Sequence, residues 1–261
     1  MANISDDQDV ARFISFPPSS DCENGRWLLD YYGIKHKEER HAPPFFIFAM
    51  LGNHGKSIPL YLDNTITLNG LRPLIDHFDG LAPKSKKLIP EGREEETNQL
   101  WSRYNGDMGA ATVSWAYYHL LPHWKIMVDP LSIGTPGYEK LTVKYLYPLP
   151  AAMLWLLLKL NRQKADEALV TLRTIFAEVG KRLADGRPYL LGDQMSIADI
   201  AFAVSGAPLV LPLGYGGYTG EQGPLPSFDQ APSEIRSVVE EMLPTPAGQF
   251  ILRMYREERY R

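Results

Sequence analysis

Thiols are scarce in this sequence: its 261 residues include one cysteine, Cys22. That excludes an intramolecular disulfide, a CxxC zinc site and a dithiol redox cycle, and it suits a reducing compartment. Positive charge is not in excess either. Lys and Arg number 27 against 31 Asp and Glu, for a formal net charge of −4. The basic footprint of a nucleic-acid binder is missing, so no nucleic-acid partner is expected. No apolar run approaches the roughly 20 residues of a membrane span. The longest, Leu149 to Leu158, is about ten residues and reads as a buried helix. The opening MANISDDQDV has neither a basic n-region nor an apolar h-region, so no secretory leader is expected and the expected location is cytoplasmic. Internal repeats and low-complexity segments are also missing. His119 and His123 are four apart, but no glutamate lies between them, no third ligand is evident and Pro122 interrupts the turn. No metal site is expected there.

What remains is the composition of a folded globular chain, 44% hydrophobic and 22% charged. Arg12–Phe16 reads as a strand stopped by Pro17 and Pro18. Glu23–Tyr32 reads as a helix, with Trp27, Leu28 and Tyr31 at helical spacing and Gly33 as its stop. Lys35–Arg40 reads as a charged strand. Ile58–Asp63 and Thr65–Leu68 read as strands separated by an Asp-Asn turn, and Asn69-Gly70 is a second turn. A helix over Leu74–Phe78 completes a β-α-β then β-β-α order, which indicates an α/β or α+β unit. Gly80–Gly92, rich in Pro, Gly and Lys, reads as a linker. Beyond it the pattern is helical. Leu100, Tyr104, Met108 and Ala111 recur within Glu94–Leu121. Leu169, Leu172, Phe176, Val179 and Leu183 form a clear 3.6-residue stripe. Pro208–Pro226 reads as an ordered surface loop, and Thr245–Arg259 as a closing basic helix.

The most specific stretch is RPYLLGDQMSIADIAFAV, residues 187–204. Ser196 and Asp199 form a capping box ahead of an apolar run, and Met195 and Ile200 are placed to clasp as a hydrophobic staple. The string YLLGDQMSIADI resembles the capped core helix in the C-terminal domain of glutathione transferases. SIPLYLD, with Ile58-Pro59, is similar to the strand that carries the cis-proline of thioredoxin-like domains. The resemblance implies a two-domain fold: an α/β thioredoxin-like domain over residues 1–80, a linker over 81–93 and an all-α domain over 94–261. It implies a transferase that joins glutathione to a small hydrophobic electrophile and works as a homodimer.

The same resemblance assigns site residues. Ile58, before Pro59, would pair its backbone with the cysteine of glutathione. Ser19 falls where serine- and cysteine-type transferases contact the glutathione sulfur, and Ser15 where tyrosine-type members place a tyrosine. Ser19 or Ser20 would supply a hydroxyl beside a helix N-terminus, which favours negative charge; capping alone is the other reading of both serines. Cys22 leaves two readings open, a monothiol reaction or simple packing as a small hydrophobe. The family's acidic-Ser pair after the fourth strand is replaced here by Gly70 and Leu71, so backbone amides and Arg72 would have to hold the γ-glutamyl carboxylate. Lys56 lies near the glycine end of glutathione. The aromatics between Trp101 and Trp124 face the second-substrate region in the family, though such a stripe is more often core. Fold does not fix function. A non-catalytic member binding ligands or a partner, and a glutathione-dependent reductase, isomerase or ether-cleaving enzyme, are the rival expectations.

Overall fold

The computed structural model describes residues 10–218 and 223–260. The reading of the opening residues therefore lies, but for Val10, outside the described residues. So does the middle of the 208–226 loop.

A four-stranded sheet occupies the first part of the chain. Its strands are β1 (Ala11–Ser15), β2 (His36–Arg40), β3 (Leu60–Leu62) and β4 (Thr67–Asn69), in the order β2-β1-β3-β4. β1 pairs parallel with β2 and antiparallel with β3, which pairs antiparallel with β4. A parallel pair needs a crossover, and helix α1 (Ser20–Tyr32) supplies it. Its stop is as expected: Gly33 takes the left-handed conformation at φ 69. Helix α2 (Phe45–Gly52) was not anticipated. Its sequence FFIFAMLG is apolar all round and buries no residue fully, so it carries no amphipathic stripe to betray it. Helix α3 (Leu71–Leu81) closes the unit with Leu71, Leu74, Ile75 and Phe78 inside. The order is thus β-α-β-α-β-β-α.

The connecting segment is tied down rather than free. Leu88 is fully buried, its N–H donates to Asp79 Oδ1 at 2.6 Å, and its carbonyl accepts from Ile197 N–H at 3.0 Å.

The second part is helical. α4 (Glu94–Trp101) passes through a widened π-helical stretch, Ser102–Met108, into α5 (Gly109–Leu120). Three short helices follow: α6 (Trp124–Ser132), α7 (Gly137–Tyr145) and α8 (Pro148–Leu157). Then come α9 (Arg162–Arg182), α10 (Ile197–Gly206), α11 (Ser233–Met242) and α12 (Pro246–Arg253). The α9 stripe does what its period demands, with Leu172, Ile175, Phe176 and Val179 buried.

Helix α10 is the centre of the core, with all ten residues buried. Its capping box forms: Ser196 Oγ accepts from Ala198 N–H, and Asp199 Oδ2 accepts from Ser196 N–H at 2.8 Å and from Ser196 Oγ at 2.6 Å. Asp199 Oδ1 also takes Leu190 N–H at 2.7 Å. One buried carboxylate thus fastens both the helix start and the loop before it.

The expectation that Leu149–Leu158 is buried does not hold. In α8 only Pro150 and Leu154 are buried, while Leu149 is 66% and Leu156 76% exposed. Ten apolar residues cannot all face one neighbour, and α8 has the core on one side alone.

Candidate functional site

The register of the sheet gathers the candidate segments at one edge. Ile14 sits opposite Leu60, so Ile58 falls level with Phe16, where the chain leaves β1. Leu60 sits opposite Asn69, and Gly70 N–H donates to the Pro59 carbonyl at 2.8 Å. The Ser19 loop, the Ile58–Pro59 peptide and the start of α3 therefore share the sheet edge at the end of β1. Gly25 lets α1 lie close over this edge: a Cβ there would stand 2.8 Å from the Phe13 ring and 3.3 Å from Pro59 Cγ. The Ile58–Pro59 peptide is cis.

Ser19 is the N-cap of α1, and its Oγ accepts from Cys22 N–H at 3.3 Å. Ser20 is the first helical residue. The first-turn amides of a helix have no acceptor within it, so this corner offers donors and two hydroxyls to an anion.

The start of α3 is equally bare. Its N-cap Gly70 has φ 84 and no capping side chain. Pro73 has no N–H, so Leu71 and Arg72 supply the free amides. A Cβ on Gly70 would meet Ser57 Oγ at 2.9 Å. Glycine is needed there for the positive φ and for that hydroxyl. Ser57 is the residue that sequence reasoning missed. Its signal was the step from Gly70 back to the loop before Pro59, and that step is visible only once β3 and β4 are paired.

Other expected site residues are committed elsewhere. Ser15 is fully buried, with its Oγ 2.5 Å from Glu38 Oε1, and so faces an ion cluster, not the open edge. Cys22 is also fully buried, and its Sγ accepts from Phe16 N–H at 3.4 Å. Burial pushes its thiol up to about 11, so at neutral pH it is a protonated core group. Of the two readings of Cys22, packing as a small hydrophobe is the one that its burial favours. The Arg72 guanidinium pairs with Asp76 at 2.9 Å, donates to Asn98 at 2.7 Å and stacks on Trp101. Only its backbone N–H is left for the corner. Lys56 is exposed, and its N–H is held by Asn69 Oδ1 at 2.7 Å.

Behind β1 lies a buried ion cluster. Arg26 reaches Glu38 at 2.6 Å and Glu23 at 3.3 Å, Arg40 reaches Glu38 at 2.6 Å, and Arg259 reaches Glu23 at 2.9 Å and Asp30 at 2.7 Å. Burial alone would raise the Glu38 carboxyl, but Arg26, Arg40 and Ser15 outweigh it and hold it low. Gly216 joins through its N–H to Glu23 and its carbonyl to Arg40. The cluster locks α1, β2 and the last turn of the chain together beneath the candidate corner. The charged strand and basic last helix of the sequence both contribute to it.

The π-helical stretch points Asn105 at the first turn of α1. Asn24 Nδ2 donates to Asn105 Oδ1 at 3.3 Å. Burial raises the Asp21 carboxyl, and a hydrogen bond with Asn105 opposes it. Such widened turns re-aim side chains. A cavity of about 30 Å³ lies beside Ser20, bounded by Pro18, Tyr215, Thr112 and Ser205. The Thr112 and Ser205 hydroxyls are buried without a partner. That volume suits a water or two. No group of three or more potential metal ligands occurs among the described residues.

Known proteins share parts of this sequence and the whole of this architecture. Residues 162–220 match the glutathione S-transferase C-terminal domain family. The fold is similar to that of a glutathione transferase from Phanerochaete chrysosporium, at 12% identity and TM-score 0.58, covering 96% of this chain and 98% of that one. It is similar to a glutathione S-transferase from Ceriporiopsis subvermispora solved with glutathione, at 15% identity and TM-score 0.55, covering 96% and 98%. A Pseudomonas fluorescens family member solved with two glutathiones bound is 17% identical, with TM-score 0.52 and 95% of each chain covered. No curated protein matches in sequence. The chain has the glutathione S-transferase fold, and within it residues 162–220 are similar to that family's C-terminal domain.

Proposed function

We propose that the chain is a glutathione transferase-type enzyme that joins the glutathione sulfur to a small hydrophobic electrophile. The observation that carries this reading is the shared corner: the open start of α1 with Ser19 and Ser20, the Ile58 backbone, and the bare start of α3 with Ser57 against Gly70. Glutathione's thiol, with a pKa of about 8.5, is a weak nucleophile until ionised. The α1 amides and a serine hydroxyl favour its thiolate. The Ile58 backbone holds the cysteine. Leu71 and Arg72 N–H, with the Ser57 hydroxyl, take the γ-glutamyl carboxylate in place of the missing acidic-Ser pair. The thiolate then forms the sulfur–carbon bond, and the leaving group departs with its electron pair. The cavity beside Ser20, about 30 Å³, is too small for the electrophile. Residues 1–80 form the glutathione-binding domain and residues 94–261 the helical one, joined at 81–93. The homodimer follows by family resemblance.

Calorimetric titration with reduced glutathione tests the reading. Binding in the micromolar to low-millimolar range supports it, and Ser57→Ala should then weaken binding severalfold. Ser19→Ala or Ser20→Ala should move the pH dependence of turnover with an aryl halide to higher pH. Gly70 and Leu71 in place of the acidic-Ser pair favour a second reading, a non-catalytic member of the fold that binds a ligand or partner. Absence of glutathione binding would select it.

A further inference from the structure

Between α5 and α9 the chain builds α7 and α8, and both turn apolar side chains to solvent. On α7, Tyr138 is 61%, Leu141 54% and Tyr145 70% exposed. These sit at i, i+3 and i+7, the spacing of one helix face. On α8, Leu149, Ala152 and Leu156 repeat the same spacing, and all are exposed. Isolated surface leucines are ordinary, but exposed apolar stripes on two successive helices mark an interaction surface.

Within the segment that carries the two stripes the exposed charges are of one sign. Between residues 137 and 164 the cationic residues are Lys140, Lys144, Lys159, Arg162 and Lys164, and the one acid, Glu139, is buried. Glu139 is spent inside, accepting from Ala42 N–H at 2.7 Å and contacting His41 Nδ1 at 2.8 Å. That pins the first turn of α7 to the end of β2. Lys140 pairs with Asp129 at 3.2 Å and Arg162 with Asp166 at 3.7 Å. Lys144 and Lys159 have no carboxylate partner among the described residues. A local cationic rim in a chain of net charge −4 is a segregated charge, not a reflection of composition.

We propose that the α7–α8 face docks on an anionic phospholipid surface. An apolar stripe, flanking lysines and tyrosines at its margin are what a helix lying in the headgroup layer requires. No helix among the described residues is long and apolar enough to cross a membrane, and α8, at ten residues, lies on the surface instead. A second copy of the chain fits less well. A two-fold interface sets the same patch against itself, and the lysine rim would then face its own charge. The inference stands apart from the glutathione reading, since it uses none of the corner residues.

The test is flotation of the full chain with vesicles of phosphatidylcholine alone, or of phosphatidylcholine with phosphatidylserine, at about 0.1 M salt. The chain should float with the anionic vesicles and release at high salt, where screening is stronger. The Leu149→Ser/Leu156→Ser and Lys144→Glu/Lys159→Glu variants should each lose at least about tenfold in binding while keeping the wild-type melting temperature. Val170→Ser, at an exposed position on α9, should bind as wild type. Equal binding by all variants, or no flotation with either vesicle, would overturn the proposal. So would sedimentation showing a dimer that the leucine substitutions dissociate, since the face would then be a contact between copies.

Discussion

Helices α8 and α10 are each ten residues long and both almost wholly apolar, yet α10 buries every residue and α8 buries two. Composition therefore does not decide which helix becomes core. α10 is held at its start by Ser196 and Asp199 and surrounded by α4, α5, α12 and α1. α8 starts at Pro148 with no capping side chain, and one side of it meets protein. Equal hydrophobicity thus serves cohesion in one helix and leaves an apolar surface in the other. Substitutions at matched positions should separate the two uses.

The largest effect is expected at Phe202. It is fully buried in α10 and touches the rings of Tyr104, Phe176 and Phe250. Phe202→Ala should lower unfolding stability by about 3–5 kcal/mol, read by urea denaturation. A loss below about 1 kcal/mol would mean that α10 is not the keystone its burial implies. Next comes Asp199→Ala, which strips the acceptor from the buried amides of Leu190 and Ser196. Two unsatisfied buried donors should cost about 3 kcal/mol.

The same carboxylate gives a pH signature. Burial pushes Asp199 up to about 6, against the hydrogen bonds that favour its ionised form. In the unfolded chain an aspartate sits near 3.9. A raised folded value means that the contribution is full below about pH 4 and is lost as pH rises through 6. Asp199→Asn should remove this slope. Denaturation midpoints at pH 4, 5, 6 and 7 measure it, and an unchanged slope in the variant would assign it to another group.

The contrast also marks what could be read without coordinates. The capping box, the α9 stripe and the Gly33 stop were legible because each is a local pattern with a local cause. The fold class followed from a resemblance centred on α10. Helix α2 was not legible, since FFIFAMLG has no polar face to set a period. Nor was the exposure of α8, because burial depends on what the rest of the chain places alongside. The site was readable only in part. The sheet brings Ser19 and Ile58 to one end of β1, but Ser57 enters only through the pairing of β3 with β4. Ser15 and Cys22 are turned inward by Glu38 and by the Phe16 amide, contacts that span up to 23 residues of chain.

The smallest effect sharpens the comparison most. Leu156 is 76% exposed, so Leu156→Ser removes little contact with protein and relieves exposed apolar area in water. Its unfolding stability should stay within about 0.5 kcal/mol of wild type, as for other surface sites. The corresponding change, Ile200→Ser, at a position fully enclosed in α10, would leave a cavity and an unpartnered hydroxyl and should cost several kcal/mol, on the order of its buried-aliphatic counterparts. Paired thermal unfolding of the two variants checks this. If Leu156→Ser destabilised the chain comparably, α8 would be packed against something in solution, and the surface assigned to it here would already be covered.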